Sequence, residues 1–396
     1  MKCLLVLSVL LASAYSLPVH LDSNTTSYSE KECGSSFEKL WLEVVFVVDN
    51  SKGMTNEGLA KVVASMKSTL QEATIGIRTY PQTTRVGLVT YNKHATTVYG
   101  LNAFNSYNEF ASQVSSTLSK VSDVSESNLA AGLYESSHVF TNSHVENRKQ
   151  YQRVVIAYTN TYQEGHGLSL EKKNPLRQAN DLKAKGIQII TVAVEDAEGE
   201  LNGLLQTLAT PDYFFETLDS QLTADIKKAL LTINCFCPSG WMQYEDIYGN
   251  DESKKYGLCV YQGTEQLTWI EAKKACMVNN NGYLLNERSS AKHDFTYKMF
   301  KYHEEIPHPT RYHIGLSYYN NAWRWEQPHG LNGQPATFTY WNPGFPVADS
   351  SKLGVMNVEA KDSAGWQNVN LGSDKAYFAC EVAACDTDNF CESTVA

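Results

Sequence analysis

The sequence predicts a doubly wound α/β domain built on a mostly parallel sheet, followed by a second domain and a short tail. Apolar runs of strand length alternate with amphipathic helical patterns between Cys33 and Cys235. Runs that are apolar on both sides mark parallel strands covered by helices on both faces. The 396 residues leave enough chain for two domains, each able to bury its own core. There are nine cysteines, one of them Cys3 inside an apolar start. Removal of that start leaves an even number, which suggests four disulfides.

The chain opens with Met1-Lys2, runs apolar from Cys3 to Leu11 and continues Ala12-Ser13-Ala14-Tyr15-Ser16. A basic start, a core too short to span a bilayer and small residues at a cleavage site predict a secretory signal peptide over 1–16. A secreted, extracellular protein without membrane insertion is expected. The polar leader over 17–36 carries Asn24-Thr25-Thr26, a glycosylation acceptor; an unmodified tail is the competing reading of Asn24. Strands are expected at Leu42–Val48, Arg85–Tyr91, Val154–Thr159, Ile187–Val194 and Tyr213–Thr217. Helices are expected at Glu57–Glu72, Tyr107–Leu118, Leu129–Phe140, Pro175–Lys185, Glu200–Leu208 and Leu222–Ile233. Ligands of such sheets sit beyond the carboxyl ends of the strands. A net charge of -10 without long charge runs argues against nucleic acid or an anionic membrane as partner.

The first strand ends in Val47-Val48-Asp49-Asn50-Ser51-Lys52-Gly53. This ending, with the order of strands and helices over 37–235, resembles the von Willebrand factor A domain family. The resemblance implies a divalent cation held by an aspartate and two hydroxyls of the first loop, a threonine of a second loop and an aspartate after the fourth strand. Asp49 and Ser51 match, Ser127 can replace the threonine, but Gly53 and Asn160 stand where the second serine and second aspartate belong. A carboxylate about 5 Å from a divalent ion is worth at most roughly 6 to 7 kcal/mol at an effective dielectric of about 20, so its loss matters. The expected residue is a degenerate site, Asp49, Ser51, Ser127 and Asn160, that takes magnesium at low affinity if at all. Asp49 is expected to bond its own loop instead. The family's fold also brings the domain's ends together, which implies a bridge from Cys33 to Cys235, with Cys237 as the alternative partner.

Further on come Cys237-Pro238-Ser239-Gly240-Trp241, Leu267 to Cys276, His313-Ile314-Gly315-Leu316, Trp323-Arg324-Trp325, Trp341-Asn342-Pro343-Gly344 and Phe378-Ala379-Cys380-Glu381. In order and spacing, 236–383 resembles a long-form C-type lectin-like domain, an α+β fold. Thr268 with Glu271 forms a capping box, which predicts a helix start on its own. The resemblance implies Cys237 with Cys259 and Cys276 with Cys380. It places Leu353 and Leu371 where a further bridge would lie, as apolar substitutes in mutual contact. Calcium is not expected at the sugar site, because Phe345-Pro346-Val347 and Trp366-Gln367-Asn368 stand where the family's sugar binders carry EPN or QPD, and WND. Asp349 and Glu359 read as solvated loop groups. His303, His308 and His313 match no zinc spacing, and Trp323, Trp325, Trp341 and Trp366 read as core. In the tail over 384–396, Cys385 and Cys391 can close a small loop or bridge to another chain.

An A domain followed by a lectin-like domain resembles secreted lectin-like proteins of nematodes. That implies extracellular recognition of a glycan or protein ligand without the calcium-dependent sugar site, in a setting such as innate defence. The alternative is an adhesion or matrix protein that binds protein ligands through the residual A-domain cation site. No enzyme is expected, since the chain offers no GxSxG elbow, HExxH helix or phosphate loop. The ligand's identity and the oligomeric state are not legible in the sequence.

Overall fold

The structure, a computed structural model, describes residues 30–392 apart from 77–81, 144–147, 162–173, 195–198, 251–252 and 362. The expected signal peptide, Cys3 and the sequon at Asn24 lie outside the described residues.

The first domain runs β1 (Leu42–Asp49), α1 (Asn56–Leu70), β2 (Arg85–Tyr91), β3 (Ala95–Tyr99), α2 (Tyr107–Thr117), α3 (Leu129–Asn142), β4 (Gln152–Thr159), α4 (Pro175–Ala184), β5 (Ile187–Ala193), α5 (Gly199–Leu208), β6 (Phe214–Glu216) and α6 (Leu222–Ile233). The sheet order is β3-β2-β1-β4-β5-β6, parallel throughout except for β3, which pairs antiparallel to β2. β1 alternates its side chains between two cores. Val44, Phe46 and Val48 pack with α1, α2 and α6, while Val45 and Val47 pack with α3, α4 and α5. Every residue of β1 is buried, as a central strand covered on both faces requires. The strand at Ala95–Tyr99 is not among those expected from the sequence. It is an edge strand, Ala-Thr-Thr-Val-Tyr, with no fully buried residue, so it lacks the apolar run that marks its neighbours.

The second domain runs β7 (Met242–Glu245), β8 (Lys255–Thr268), α7 (Trp269–Val278), β9 (Tyr283–Leu284), α8 (Ser290–Lys301), β10 (Arg311–Tyr319), β11 (Ala322–Trp325), β12 (Gln334–Pro335), β13 (Gly354–Ala360), β14 (Ser363–Val369) and β15 (Lys375–Ala383). Its main sheet path is β12-β11-β10-β15-β8-β7, with β13 and β14 extending from β10. The capping box forms at α7, where Thr268 and Glu271 exchange backbone-to-side-chain bonds. Disulfides join Cys33 to Cys235, Cys237 to Cys259, Cys276 to Cys380 and Cys385 to Cys391. Leu371 packs against the cluster of Trp269, Cys276 and Cys380, and its Cδ2 would meet a Cβ at Gly354, next in chain to Leu353, at 2.9 Å.

The two domains share a junction built from both ends of the chain. The Lys31 carbonyl accepts from Gly257 N at 2.7 Å, and Phe236 and Cys385 exchange backbone bonds at 3.0 and 2.9 Å. Trp41, fully buried just before β1, donates its indole N–H to the Asp386 carbonyl at 2.9 Å. Its ring is surrounded by Tyr151, Phe236 and Phe390. Residues 31–34 and the Cys385–Cys391 loop, which read as leader and tail, are therefore packed structure.

Candidate functional site

The A-domain crevice lies at the carboxyl end of β1, where the sheet order changes direction between β1 and β4; ligands of such sheets bind at this position. β1 and β4 fix Asp49 and the loop after Thr159. Asn128 caps α3 by accepting from Ala131 N at 3.1 Å, which sets Ser127 beside the crevice. Gly132 lets α3 approach the sheet closely, because a Cβ there would meet Tyr91 and Val47 atoms at 2.8 Å.

Three of the four expected residues come together. Asp49 Oδ1 accepts from Ser51 N at 2.8 Å and Oδ2 from the Ser127 hydroxyl at 2.8 Å. Asn160 points elsewhere, donating Nδ2 to the Val194 carbonyl at 2.9 Å. Its amide completes the backbone of the neighbouring strand end and replaces no carboxylate. Burial raises the Asp49 pKa, against the lowering effect of the Ser51 amide and Ser127 hydroxyl. Burial, then the Asp49 charge, pushes the adjacent Tyr91 phenol well above its ordinary value. A Cβ at Gly53 would lie 3.2 Å from Thr161 Cγ2 and 3.8 Å from Ser51 Oγ, so Thr161 borders the space a second serine would use. A divalent cation wants about six oxygens. Asp49, Ser51 and Ser127 supply only part of that set, so the residues present fit such an ion poorly.

In the lectin domain the long loop is tied down by a residue of the WND position. Asn368 accepts from Val347 N at 2.8 Å and donates to the carbonyls of Val347 and Lys352 at 2.9 and 3.1 Å. Its amide is committed to holding the loop. Asp349 is exposed and bonds Ser351, but Glu359 departs from the expectation of a solvated group. Its side chain is 7% exposed and accepts from Tyr297 OH, His308 Nδ1 and Thr310 N at 2.7 to 2.8 Å. Three donors from two neighbouring segments converge on it. Trp325 and Trp366 are core, and Trp323 and Trp341 pack against that core with part of each side chain exposed.

His313 lies on β10, fully buried. Its Nε2 faces the carbonyls of Leu267 and Asp374 at 3.0 and 3.1 Å, so Nε2 carries the proton of a neutral ring; Nδ1 is buried without a partner. Burial pushes its pKa down to about 4. The folded value lies below the unfolded value of about 6.5. Neutral His313 therefore stabilises the fold fully above pH ~6.5, and this contribution falls as pH drops towards 4, by up to about 3 kcal/mol. Thermal melts from pH 7 to 4 should show this loss, and His313→Gln should flatten it. An unchanged pH slope in His313→Gln would refute the assignment.

Residues 43–229 match the von Willebrand factor type A domain model and residues 265–382 the lectin C-type domain model. The chain carries a von Willebrand factor type A domain followed by a C-type lectin domain. It is 27% identical over 380 residues to C-type lectin domain-containing protein 160 of Caenorhabditis elegans, covering 91% of this chain and 56% of that protein's length. Among solved structures it is similar to proximal thread matrix protein 1 of the mussel byssus, with 21% identity, a TM-score of 0.38 and coverage of 48% and 44% of the two chains. It is also similar to the C-type lectin domain of murine dendritic cell inhibitory receptor 2 in complex with N-glycan, with 20% identity, a TM-score of 0.29 and coverage of 37% and 98%. The two domains and the disulfides fit an extracellular protein, and among the described residues no helix is long and apolar enough to cross a membrane.

Proposed function

We propose that this is a secreted recognition protein that binds an extracellular glycan or protein ligand without calcium at the lectin sugar site, acts by binding and not by catalysis, and serves in a setting such as innate defence. The observation that carries this reading is the use of Asn368. Where a sugar-binding lectin needs amide and carboxylate oxygens free for an ion and sugar hydroxyls, this amide is spent on the backbone of its own loop, and Phe345 and Val347 offer no side-chain oxygen. The test is binding of the full chain to panels of glycans and microbial surfaces, with and without chelator. Glycan binding abolished by chelator would refute the calcium-free reading.

A second reading, adhesion through the A-domain crevice, is favoured by one observation. Ser51 Oγ is buried beside the Asp49 carboxylate and accepts no hydrogen bond, which leaves its lone pairs available to a ligand. Millimolar magnesium should nevertheless raise the melting temperature little, because an ion at its own Kd contributes only about 0.4 kcal/mol. Asn160→Asp with Gly53→Ser should strengthen the response, provided Thr161 yields a few tenths of an ångström to the new side chain. A clear magnesium-dependent rise in the unmodified protein would move the function to cation-dependent adhesion.

A further inference from the structure

An aromatic ladder climbs out of the lectin core. Trp325 and Trp366, both buried, meet edge to face at 5.4 Å between centroids. Trp366 meets Trp341 at 5.7 Å, Trp341 meets Trp323 at 5.0 Å, and Trp323 meets Tyr318 at 5.3 Å. Exposure rises along the series: Trp341 and Trp323 are partly exposed, and Tyr318 is 39% exposed. The upper rings are held in place by backbone bonds as well as by tilted and edge-to-face ring contacts. Tyr318 pairs with Trp323 across the β10–β11 hairpin, the Trp323 carbonyl accepts from Ala336 N at 2.9 Å, and the bonds Asn342 N to Trp366 O and Trp366 N to Tyr340 O tie Trp341 to β14.

We propose that Tyr318, Trp323 and Trp341 form a rigid ledge that takes the C–H face of a neutral hexopyranose within a glycan, with no cation. The proposal rests on the glycan arm of the reading above. A pyranose ring presents one face of C–H bonds and a rim of hydroxyls, and an aromatic surface set among polar groups matches both. The exposed Asn320 and Asn321, whose positive φ values of 50° and 59° form the hairpin turn, supply amides at the ledge's edge. Arg324, between Trp323 and Trp325 on β11, turns to the other face of the strand, where it donates to the carbonyls of Tyr319 and Gly333 at 3.3 and 3.1 Å. With no cation among the three rings and a chain charge of -10, the complementary occupant is neutral and not a sulfated or uronic polymer. Three partly exposed rings offer at most a few hundred Å², well below the roughly 800 Å² per partner of a stable protein interface, whereas preorganised rings suit a small ligand whose binding cannot afford to order them.

The test is co-sedimentation of the full chain, in chelator, with particles of cellulose, β-1,3-glucan, chitin and mannan, and with immobilised heparin as the anionic probe. We expect retention on at least one neutral polysaccharide and none on heparin. Tyr318→Ala, Trp323→Ala and Trp341→Ala should each weaken retention about tenfold or more. Because Trp323 and Trp341 also touch the core, Tyr318→Ala and Trp323→Phe, with melting temperatures measured alongside, serve as the variants that keep the fold. Retention within twofold of wild type in folded Tyr318→Ala would overturn the ledge and leave the glycan reading standing. No retention of wild type on any neutral polysaccharide would overturn both, and binding to heparin alone would overturn the neutral occupant.

Discussion

Replacing Glu287 with alanine is expected to cost roughly 3 to 5 kcal/mol of lectin-domain stability, a fall in melting temperature on the order of 10 °C. Glu287 is fully buried and accepts from four groups: His293 Nδ1 at 2.7 Å, Tyr312 OH at 3.0 Å, Asn357 Nδ2 at 3.2 Å and the Trp366 indole at 2.6 Å. His293 Nε2 faces the Ala364 carbonyl at 3.1 Å. Acceptors at both ring nitrogens favour the imidazolium, since a neutral ring can donate only once. Burial alone would lower the His293 pKa, but the Glu287 charge and the bonds to Glu287 and Ala364 outweigh it and raise the value. Alanine at 287 strands every one of these donors, and each buried orphan costs about 1 to 3 kcal/mol. Glu287→Gln separates charge from shape. The charged His293 stabilises the fold fully below its unfolded pKa of about 6.5, and that stability is lost as pH rises through the higher folded value. In Glu287→Gln this loss on the alkaline side should shrink, and the His293 titration followed by NMR should move down. A melting temperature for Glu287→Ala within about 2 °C of wild type would show that the network contributes under about 1 kcal/mol.

This network was not legible in the sequence, for a physical reason. Glu287, His293, Tyr312, Asn357 and Trp366 come from a loop, α8, β10, β13 and β14, and polar residues scattered over that span carry no periodicity. The parallel strands of the first domain were legible because burial on both faces demands uninterrupted apolar runs, and Arg85–Tyr91 lies where such a run places it; the helix Leu222–Ile233 lies where its amphipathic pattern places it. The edge strand Ala95–Tyr99 was not, because one-sided exposure removes that demand. The A-domain crevice was partly legible. Strand ends bring Asp49, Ser51 and Ser127 together whatever their charge, but the direction of the Asn160 amide depends on Val194 O, which no motif encodes. The same limit hid the junction. Lys31 to Gly34 look like leader by composition, and only their partners Gly257 and Asp386 make them structural.

Lys292→Met is expected to be the most disruptive single change at that junction, costing roughly 3 to 5 kcal/mol. Lys292 sits on α8 with no exposed side-chain surface, paired to Glu30 of the leader at 3.1 Å and to Glu381 of β15, both of them buried too. Its ammonium lies 5.5 Å from the Tyr244 ring centre, and Glu381 also accepts from Tyr283 OH at 2.6 Å. Methionine fills most of the lysine volume, so the expected cost is electrostatic: the carboxylates of Glu30 and Glu381 lose the ammonium that lies between them. Breaking a buried ion cluster by removing one charge costs far more than removing all of them. The triple variant Lys292→Met with Glu30→Gln and Glu381→Gln should therefore recover most of the lost stability. Because Glu30 belongs to the segment before the A domain and Lys292 to the lectin domain, the single variant should also loosen the leader. Hydrogen exchange at the Gly34 and Gly257 amides, which bond Asp386 and Lys31, should quicken in Lys292→Met before the lectin core does. Equal stability of the single and triple variants, with unchanged exchange at those two amides, would show that the leader is held by the disulfide and backbone bonds alone and that the buried charges contribute nothing to joining the domains.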